Sequence, residues 1–228
     1  MPNGLERLDN PVWHALNGAQ ADLAERSGEV ARYAPDVSPF AALPTEPDAG
    51  AWADAAKLVG PGGFMVITGE PRTPPQGWET FEDLPGVQMI DDGVTGAADP
   101  EAVRLTTADV PEMLDLVRRT KPGPFGNRTI ELGTYLGIRR DGALIAMAGE
   151  RMRLDGWTEI SAVCTDPAHR GRGLAARLVR ALVAGIRSRD EQPFLHAVTT
   201  NTGAIALYER MGFRIHRRPV FQALRAAG

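Results

Sequence analysis

A glycine-rich turn between a predicted strand and a predicted helix constrains this chain more than any other feature. Residues 158–165 form a strand-like run, and residues 173–188 carry their apolar side chains on one face of a helix. Between these two elements lies the sequence Arg170-Gly171-Arg172-Gly173-Leu174-Ala175. A turn of this kind presents free backbone N–H groups at the positive end of the helix dipole, so it favours an anionic ligand.

The composition of the turn indicates a phosphate as that ligand. A β-carbon at Gly171 or Gly173 would obstruct a phosphate or force an unfavourable backbone conformation. Arg170 and Arg172 can add charge-assisted contacts, including contacts to a ribose phosphate. The turn lacks the Gly-Lys-Ser/Thr of a Walker loop and the three-glycine spacing of a dinucleotide fingerprint. Taken alone, it is equally compatible with a tight connection selected for packing.

The first part of the chain predicts a small α/β unit. The spacing of apolar residues predicts a helix over residues 12–24 and a second, shorter helix over residues 51–58. Four prolines in residues 35–47 make that segment an extended connection rather than a helix. Residues 63–68 and 87–90 are strand-like and are separated by a turn-rich stretch.

The remainder of the chain predicts an antiparallel meander followed by alternating helices and strands. Thr107 or Asp109 can cap a helix that has Pro111 in its first turn, and the Pro- and Gly-containing residues 121–124 end it. The other predicted elements are strands over residues 103–105, 134–139, 143–152, 158–165, 195–199 and 214–222, and helices over residues 173–188 and 203–211.

The distribution of charge divides the chain in two. Residues 93–100 are rich in Gly, Ala and Asp, and we expect a boundary there between an N-terminal α/β unit (residues 1–100) and a C-terminal domain (residues 101–228). The first range holds 16 acidic and 5 basic side chains, a net charge of −11, and the second a net charge of +7. The second range is therefore suited to an anionic ligand. Its arginines are spread over several elements without interleaved aromatic residues, so we expect no nucleic acid partner.

Several other classes of protein are excluded by composition. No apolar run approaches the roughly 18 residues that span a bilayer, and the N-terminus lacks a basic segment followed by an apolar one, so we expect a cytoplasmic protein without a membrane partner. Cys164 is the only cysteine, which excludes an internal disulfide and a cysteine-based zinc cluster. The four histidines have no spacing typical of metal ligands, so we expect no metal.

Two further motifs accompany the turn. The sequence Val163-Cys164-Thr165-Asp166-Pro167 precedes it, and Asn201 lies seven positions before Tyr208 in a block that ends with Gly212-Phe213. In this order and spacing the motifs resemble the GNAT acetyltransferase superfamily over residues 101–228. The resemblance implies an α/β (α+β) fold in which helices flank a mixed, mostly antiparallel sheet, with the smaller N-terminal unit packed on it. It also brings a homodimer as a family-level expectation.

The resemblance implies roles for individual residues. In this superfamily two strands splay apart to admit acetyl-CoA, whose pantetheine arm would pair with the backbone of residues 163–165 and whose pyrophosphate would meet the turn. Tyr208 matches the tyrosine that protonates the departing thiolate, although it could instead be a core residue with its hydroxyl bonded to backbone. The residues implied in cofactor binding are Val163, Cys164, Thr165, Arg170, Gly171, Arg172, Gly173, Leu174, Ala175 and Asn201.

An attacking amine must lose a proton, and Glu159 is the leading candidate for the base. It lies eleven residues before Arg170, the spacing at which histone-type members of the superfamily place a strand glutamate. Alternatively, Glu159 forms a cross-strand ion pair with Arg151 or Arg153 and has no catalytic duty. Glu150 and Glu131 are lesser candidates for the base. Cys164 is expected to be a buried structural thiol rather than a nucleophile, because no histidine stands beside it.

The expected function is transfer of an acetyl group from acetyl-CoA to a primary amine by direct attack, with an amine of a small molecule as the default acceptor and a peptide or protein amine as the second choice. The acceptor would be selected by the N-terminal unit, the loop of residues 121–132 and Trp157. One alternative is a catalytically silent acyl-CoA-binding sensor that retains the phosphate turn. Another is a nucleotide- or phosphate-binding protein that has no role in acyl transfer.

Overall fold

Within residues 4–228, which the computed structural model describes, the chain forms five α-helices and twelve β-strands. The helices are α1 (Pro11–Leu16), α2 (Ala49–Val59), α3 (Val110–Thr120), α4 (Leu174–Arg187) and α5 (Thr202–Met211). The strands are β1 (Ala24–Ser27), β2 (Val30–Tyr33), β3 (Ala41–Ala42), β4 (Phe64–Gly69), β5 (Trp78–Asp91), β6 (Val103–Arg104), β7 (Tyr135–Arg140), β8 (Ala143–Leu154), β9 (Trp157–Thr165), β10 (Gln192–Val198), β11 (Phe213–Arg217) and β12 (Val220–Ala226).

Nine of these strands form one sheet in the order β4-β12-β5-β10-β9-β8-β7-β6, with β11 also paired to β5. Its strand pairs are antiparallel except β9 and β10, which run parallel. The remaining strands form a small sheet in the order β1-β2-β3. The predicted fold class, a mixed and mostly antiparallel sheet flanked by helices, is confirmed.

Strand β5 joins the two halves of the sequence. Its first half pairs with β12, and its second half lies between β10 and β11. The sheet is therefore continuous across residues 93–100, although the division into units 1–100 and 101–228 remains a prediction. The sequence predicted only residues 87–90 of this strand. Residues 79–85 are mostly exposed and include Pro85, so they lack the alternation of a half-buried strand.

The predicted helix over residues 12–24 is the largest error in element assignment. Helix α1 ends at Leu16, and Asn17-Gly18 follows it. Residues 24–27 instead form β1, which pairs with β2. Because short apolar spacings of three and four also occur in a turn followed by a strand, the helical pattern could not detect this break. The predicted strand over residues 214–222 is likewise divided into β11 and β12, with Pro219 between them.

The start of α3 differs in part from the predicted capping, because Asp109 occupies the capping position but its side chain makes no hydrogen bond to the N–H groups of the helix. Asp109 precedes the helix and accepts hydrogen bonds from the backbone N–H of Thr106 at 2.7 Å and from its hydroxyl at 2.9 Å. Pro111 lies in the first turn, where its missing N–H costs no helical hydrogen bond. Lys121 ends the helix in a left-handed conformation, with φ of 49°. Residues 121–124 are thereby directed over the face of the sheet that carries the candidate site.

Hydrophobic clusters cover both faces of the sheet. Because neighbouring residues of a strand point to opposite faces, Leu195 packs in the cluster beneath α4 and α5, whereas Phe194 packs against the N-terminal segment. The N-terminal segment contributes Leu16, Tyr33 and Phe40 to that second cluster. Both faces are thus buried, and the N-terminal residues form one wall of the site described below. None of the helices between residues 4 and 228 has the length and hydrophobicity needed to cross a membrane.

Candidate active site

The parallel pair of strands at the centre of the sheet separates along its length. Strands β9 and β10 are paired from Trp157 to Ile160, and the pairing ends at Leu195. Immediately afterwards β9 has a bulge, where Ala162 takes φ of 52° and the register with β8 shifts. A bulge leaves residues unpaired and bends its strand. The result is an opening between residues 161–165 and the end of β10, as the resemblance implies.

A cavity of about 540 Å³ lies at this opening and extends to the N-terminus of α4. We call it the turn cavity. Every residue that the resemblance assigns to the cofactor lines it, which places in one location two segments that are about 30 residues apart. These residues are Val163, Cys164, Thr165, Arg170, Gly171, Arg172, Gly173, Leu174, Ala175 and Asn201.

The glycine-rich turn has the conformation of an anion-binding loop. Gly171 and Gly173 both have φ of 74°, a region that favours glycine, and no atom lies within 4 Å of the place where a β-carbon would stand. The glycines are therefore required by backbone conformation, and the space in front of them is open. No side chain caps α4, so the first N–H groups of the helix have no acceptor within it. These groups and the helix dipole attract an anion.

Two polar side chains complete the turn cavity. The hydroxyl of Thr165 is buried and has no hydrogen-bond partner among the residues described. A buried hydroxyl is normally paired, so a ligand group is expected to meet it. Arg170 donates from Nε to the carbonyl oxygen of Thr165 at 3.3 Å. The thiol of Cys164 is buried, and burial raises its pKa, which disfavours the thiolate that a nucleophile requires.

A second cavity, of about 340 Å³, continues from the turn cavity across the sheet. We call it the aromatic cavity. The rings of Phe40 and Phe221 lie 6.1 Å apart in its wall, and His196 lies 5.4 Å from Phe221. Among the described residues that line it, Glu82 carries the only carboxylate. The two cavities share six lining residues, so they form one cleft: Lys121, Pro122, Val163, Asn201, Ala204 and Tyr208.

Tyr208 lies where the two cavities meet. Helix α5 begins after Asn201, whose side chain accepts from the N–H of Ala204 at 3.3 Å, and this cap fixes the first turn of the helix. The Tyr208 side chain is 6% exposed and packs edge-on against Phe213. Burial raises the pKa of Tyr208, and Cys164 raises it further, so the hydroxyl keeps its proton at neutral pH.

Glu159 lies outside both cavities in a buried ion pair. It is 0% exposed, and its carboxylate accepts from Arg151 Nε at 2.8 Å and from Arg151 Nη2 at 2.5 Å. His196 Nδ1 lies 2.7 Å from the same carboxylate. Burial alone would raise the pKa of Glu159, but Arg151 and His196 outweigh it and lower the pKa to about 2. The structure therefore shows the cross-strand pair with Arg151, and it favours that alternative over a base.

The lesser candidates for the base also lie away from the cleft. Glu150 pairs with Arg189 at 2.9 Å, and Glu131 pairs with Arg128 on the surface at 2.8 Å. Trp157, expected to help select the acceptor, is buried and packs against Phe194. Within residues 4–228, no group of three or more His, Cys, Asp or Glu side chains is placed to hold a metal ion.

Comparisons with known proteins identify the family. A family model described as FR47-like protein matches residues 135–221. The crystal structure of a GNAT-family protein from Novosphingobium aromaticivorans DSM 12444 is 42% identical, covers 97% of this chain and 99% of its own, and has a TM-score of 0.88. The chain belongs to the GNAT family of acyltransferases. The GNAT assignment therefore rests on a match along nearly the whole chain.

Other GNAT proteins match in part. N-alpha-acetyltransferase RimI from Mycobacterium tuberculosis is 38% identical over 85 residues, which is 35% of this chain and 51% of RimI. The chain thus spans about half the length of this curated relative. A GCN5-related N-acetyltransferase from Kribbella flavida covers 94% of this chain and 93% of its own, at 17% identity and a TM-score of 0.60. At that identity the likeness shows the fold alone.

The GNAT motifs revealed the turn cavity but not the aromatic cavity. Glu82, His196 and Phe221 come from three different strands, Phe40 comes from the connection before β3, and none of the four lies in a motif. The loop of residues 121–132 was expected to help select the acceptor, and its residues 121–124 line the aromatic cavity. The signal available for the others was weak: each is a single apolar or polar residue in a strand or loop. Only the folded sheet brings them together.

Proposed function

We propose that this GNAT protein is an N-acetyltransferase that uses acetyl-CoA and a primary amine of a small molecule, with direct attack of the amine on the thioester. The observation that carries the proposal is the continuous cleft. Its one end has the features of an anion site, its other end is apolar, and Tyr208 lines both. A two-ended cleft with a proton donor at the junction fits a reaction between two substrates that enter from opposite sides.

The residues of the turn cavity fit coenzyme A. The N–H groups of the turn and the first turn of α4 would hold the pyrophosphate, with Arg170 and Arg172 adding positive charge. The edge of β9 that β10 leaves free would pair with the pantetheine amides, and the unpaired Thr165 hydroxyl lies on this path. Asn201 would contact the cofactor from the start of α5. When bound, acetyl-CoA supplies the acetyl thioester.

The residues at the junction would stabilise the charges that develop during transfer. The bulge at Ala162 and Val163 interrupts the ladder with β8, which leaves backbone N–H groups able to donate to a carbonyl oxygen. Tyr208 holds a proton beside Val163 and would give it to the departing sulfur. A thiol leaves more readily when its negative charge is neutralised as it forms.

The role proposed for Glu159 changes with the structure. A carboxylate with a pKa of about 2 is a weak base, and both of its oxygens are engaged by Arg151 and His196. We therefore assign removal of the amine proton to solvent water in the open cleft. Glu159 would act as a positioning residue, because it holds the Arg151 and His196 side chains that line the aromatic cavity.

A screen of primary amines with acetyl-CoA, followed by release of free thiol, tests the proposal. We expect thiol release that depends on both amine and protein, with one acetylated amine formed for each thiol. Tight binding of acetyl-CoA without thiol release from any amine would instead support a silent sensor. Calorimetry is the second measurement. If adenosine nucleotides bind as tightly as acetyl-CoA, the turn belongs to a nucleotide-binding protein and the proposal fails.

A further inference from the structure

The aromatic cavity does not end at its aromatic wall. A surface groove of about 360 Å³, which we call the outer groove, adjoins it and shares four lining residues with it: Val66, Glu82, Pro124 and Ala223. At its far end the groove is lined by Phe64 and Phe81. A continuous and mainly apolar surface, with Glu82 at the point where the aromatic cavity and the outer groove meet, therefore runs from Tyr208 outward to these two rings.

The two rings at the far end are unusually exposed for their size. Phe64 is 52% exposed and Phe81 is 40% exposed, and they contact each other edge-to-face with centroids 6.1 Å apart. The guanidinium of Arg225 lies 4.6 Å from the Phe81 centroid and holds that ring in place. Exposed aromatic clusters of this kind, when continuous with a cavity, are typical of binding grooves for apolar ligands.

Glu82 favours a ligand that has a cationic amino group, and the wall of the groove favours an apolar remainder. Glu82 is exposed and stands where the aromatic cavity and the outer groove meet, so an ammonium group passes it on the way inward. Two cations also line the aromatic cavity: Arg151, whose charge Glu159 neutralises, and the exposed Lys121, which lies where this cavity meets the turn cavity. The groove wall offers mainly carbon. Peptide groups placed against it would lose their hydrogen bonds to water without replacement.

We propose that the acceptor is a primary amine attached to an elongated apolar group, a hydrocarbon or arylalkyl chain. Its amino end lies beside Tyr208, its middle crosses the aromatic cavity along the wall that Phe40 and Phe221 form, and its far end lies against Phe64 and Phe81. This inference rests on the proposed N-acetyltransferase function and specifies its acceptor. A peptide amine is treated as an outcome of the test.

The test uses butylamine, hexylamine, octylamine and decylamine as acceptors with acetyl-CoA and the full chain. These amines have nearly the same basicity, so differences in rate report binding of the chain. We expect kcat/KM to rise by about fourfold for each methylene group that the cleft buries, and to level off when the outer groove is filled.

A pair of variants locates the effect. Phe81→Ser removes a ring from the outer groove and should reduce the ratio of kcat/KM between octylamine and butylamine severalfold. Val103→Ser removes a side chain of similar exposure, 44%, from β6, outside both cavities and the outer groove, and should leave the ratio unchanged. Both sites are exposed, so neither variant should prevent folding.

The outcomes separate this inference from the function on which it rests. Equal kcat/KM along the series, or higher values for spermidine or for a peptide with a free N-terminus, would overturn the apolar acceptor while preserving the N-acetyltransferase. An equal fall of the ratio in Phe81→Ser and Val103→Ser would also overturn it. Absence of thiol release with every amine, despite binding of acetyl-CoA, would overturn both.

Discussion

The two ends of the cleft are constructed in opposite ways. The turn cavity is formed mainly by one continuous stretch, residues 163–176, together with the start of α5. The aromatic cavity takes its walls from many distant parts of the chain, including Phe40, Glu82, Arg151 and Phe221. Under the proposed function, recognition of the cofactor is a local property of the sequence, whereas recognition of the acceptor is a property of the whole sheet. Substitutions at the two ends should affect the two substrates separately.

Tyr208 should break this separation, because it lines both cavities. Tyr208→Phe is expected to lower kcat by roughly 10²–10⁴-fold, since the departing thiolate loses its proton donor. The affinity for acetyl-CoA, measured by calorimetry, should stay close to that of the unchanged protein. Tyr135→Phe is the matched control. It removes a hydroxyl that is buried without a partner among the residues described and lies outside the cleft. Equal kcat in both variants would contradict the role of Tyr208.

A substitution at Glu159 tests whether the aromatic cavity depends on the buried ion pair between Glu159 and Arg151. Glu159→Gln should lower the free energy of unfolding by roughly 3 kcal/mol, because it leaves the charge of Arg151 buried without compensation. Glu25→Gln breaks an exposed cross-strand pair with Arg32 and should cost about 1 kcal/mol or less. Urea unfolding measures both. A Glu159→Gln protein of unchanged stability that has lost turnover would restore Glu159 as the base.

The same carboxylate predicts a pH dependence of stability. The folded pKa of Glu159 is lowered from 4.5 to about 2, so the group stabilises the folded state fully above pH 4.5. This contribution should be lost as the pH falls from 4.5 towards 2. Urea unfolding at a series of pH values should show a shallower acid loss in Glu159→Gln than in the unchanged protein. Identical slopes would show that the pair of Glu159 with Arg151 does not contribute to the dependence of stability on pH.

Gly173 should affect the cofactor alone. Gly173→Ala places a β-carbon on a residue in the left-handed conformation, which introduces a strain of about 1–2 kcal/mol. If the turn shifts to relieve this strain, the Kd of acetyl-CoA should rise roughly tenfold. Gly156→Ala imposes the same strain in the β8–β9 hairpin, where φ is 79° and the surrounding space is also open. It should cost stability without changing the Kd. The KM of the amine should be unaffected in both variants. If Gly173→Ala changed only the KM of the amine, the turn cavity would bind the amine and not acetyl-CoA.

Removing the charge of Glu82 should change only the KM of the amine, and this is the smallest effect predicted. Glu82→Gln is expected to raise the KM of the amine up to about fivefold, because attraction between partly solvated charges contributes about 1 kcal/mol or less. The effect should shrink as salt is added. Glu79→Gln removes the same charge from an exposed position on the same strand, outside the cleft. A similar rise in both variants would indicate net charge rather than a local contact.

The sequence was most informative where the chemistry is contiguous. Three local signals predicted the fold class and the residues that form one wall of the cleft. These signals are the glycine-rich turn, the block from Asn201 to Phe213 and the helix periodicity of α4. A strong amphipathic pattern and two glycines at fixed spacing are local signals that survive without knowledge of the fold. These signals could not specify the partner of a charged side chain. Glu159 had the right strand and spacing for a base, and only the structure placed Arg151 against it.

There is a physical reason why the residues of the aromatic cavity could not be predicted from the sequence. Its walls depend on which strands become neighbours, and pairing between distant strands leaves no periodic trace in either strand. Phe221 illustrates this, because a single strand was predicted across it where the chain forms β11 and β12. Phe40 lies in a proline-rich connection that was correctly predicted as extended, yet its contact with Phe221 joins residues 181 positions apart.

The position of β5 has a consequence for how the chain is made. All of its partners in the sheet, β10, β11 and β12, come from residues 192–226. At 5–20 residues per second, synthesis of these partners follows that of β5 by on the order of ten seconds. During that interval the nascent chain carries Val87, Met89 and Ile90 on a strand with both edges open, the condition under which chains associate with one another. The yield of folded protein should therefore depend on translation speed and chaperone supply as well as on the stability of the finished sheet.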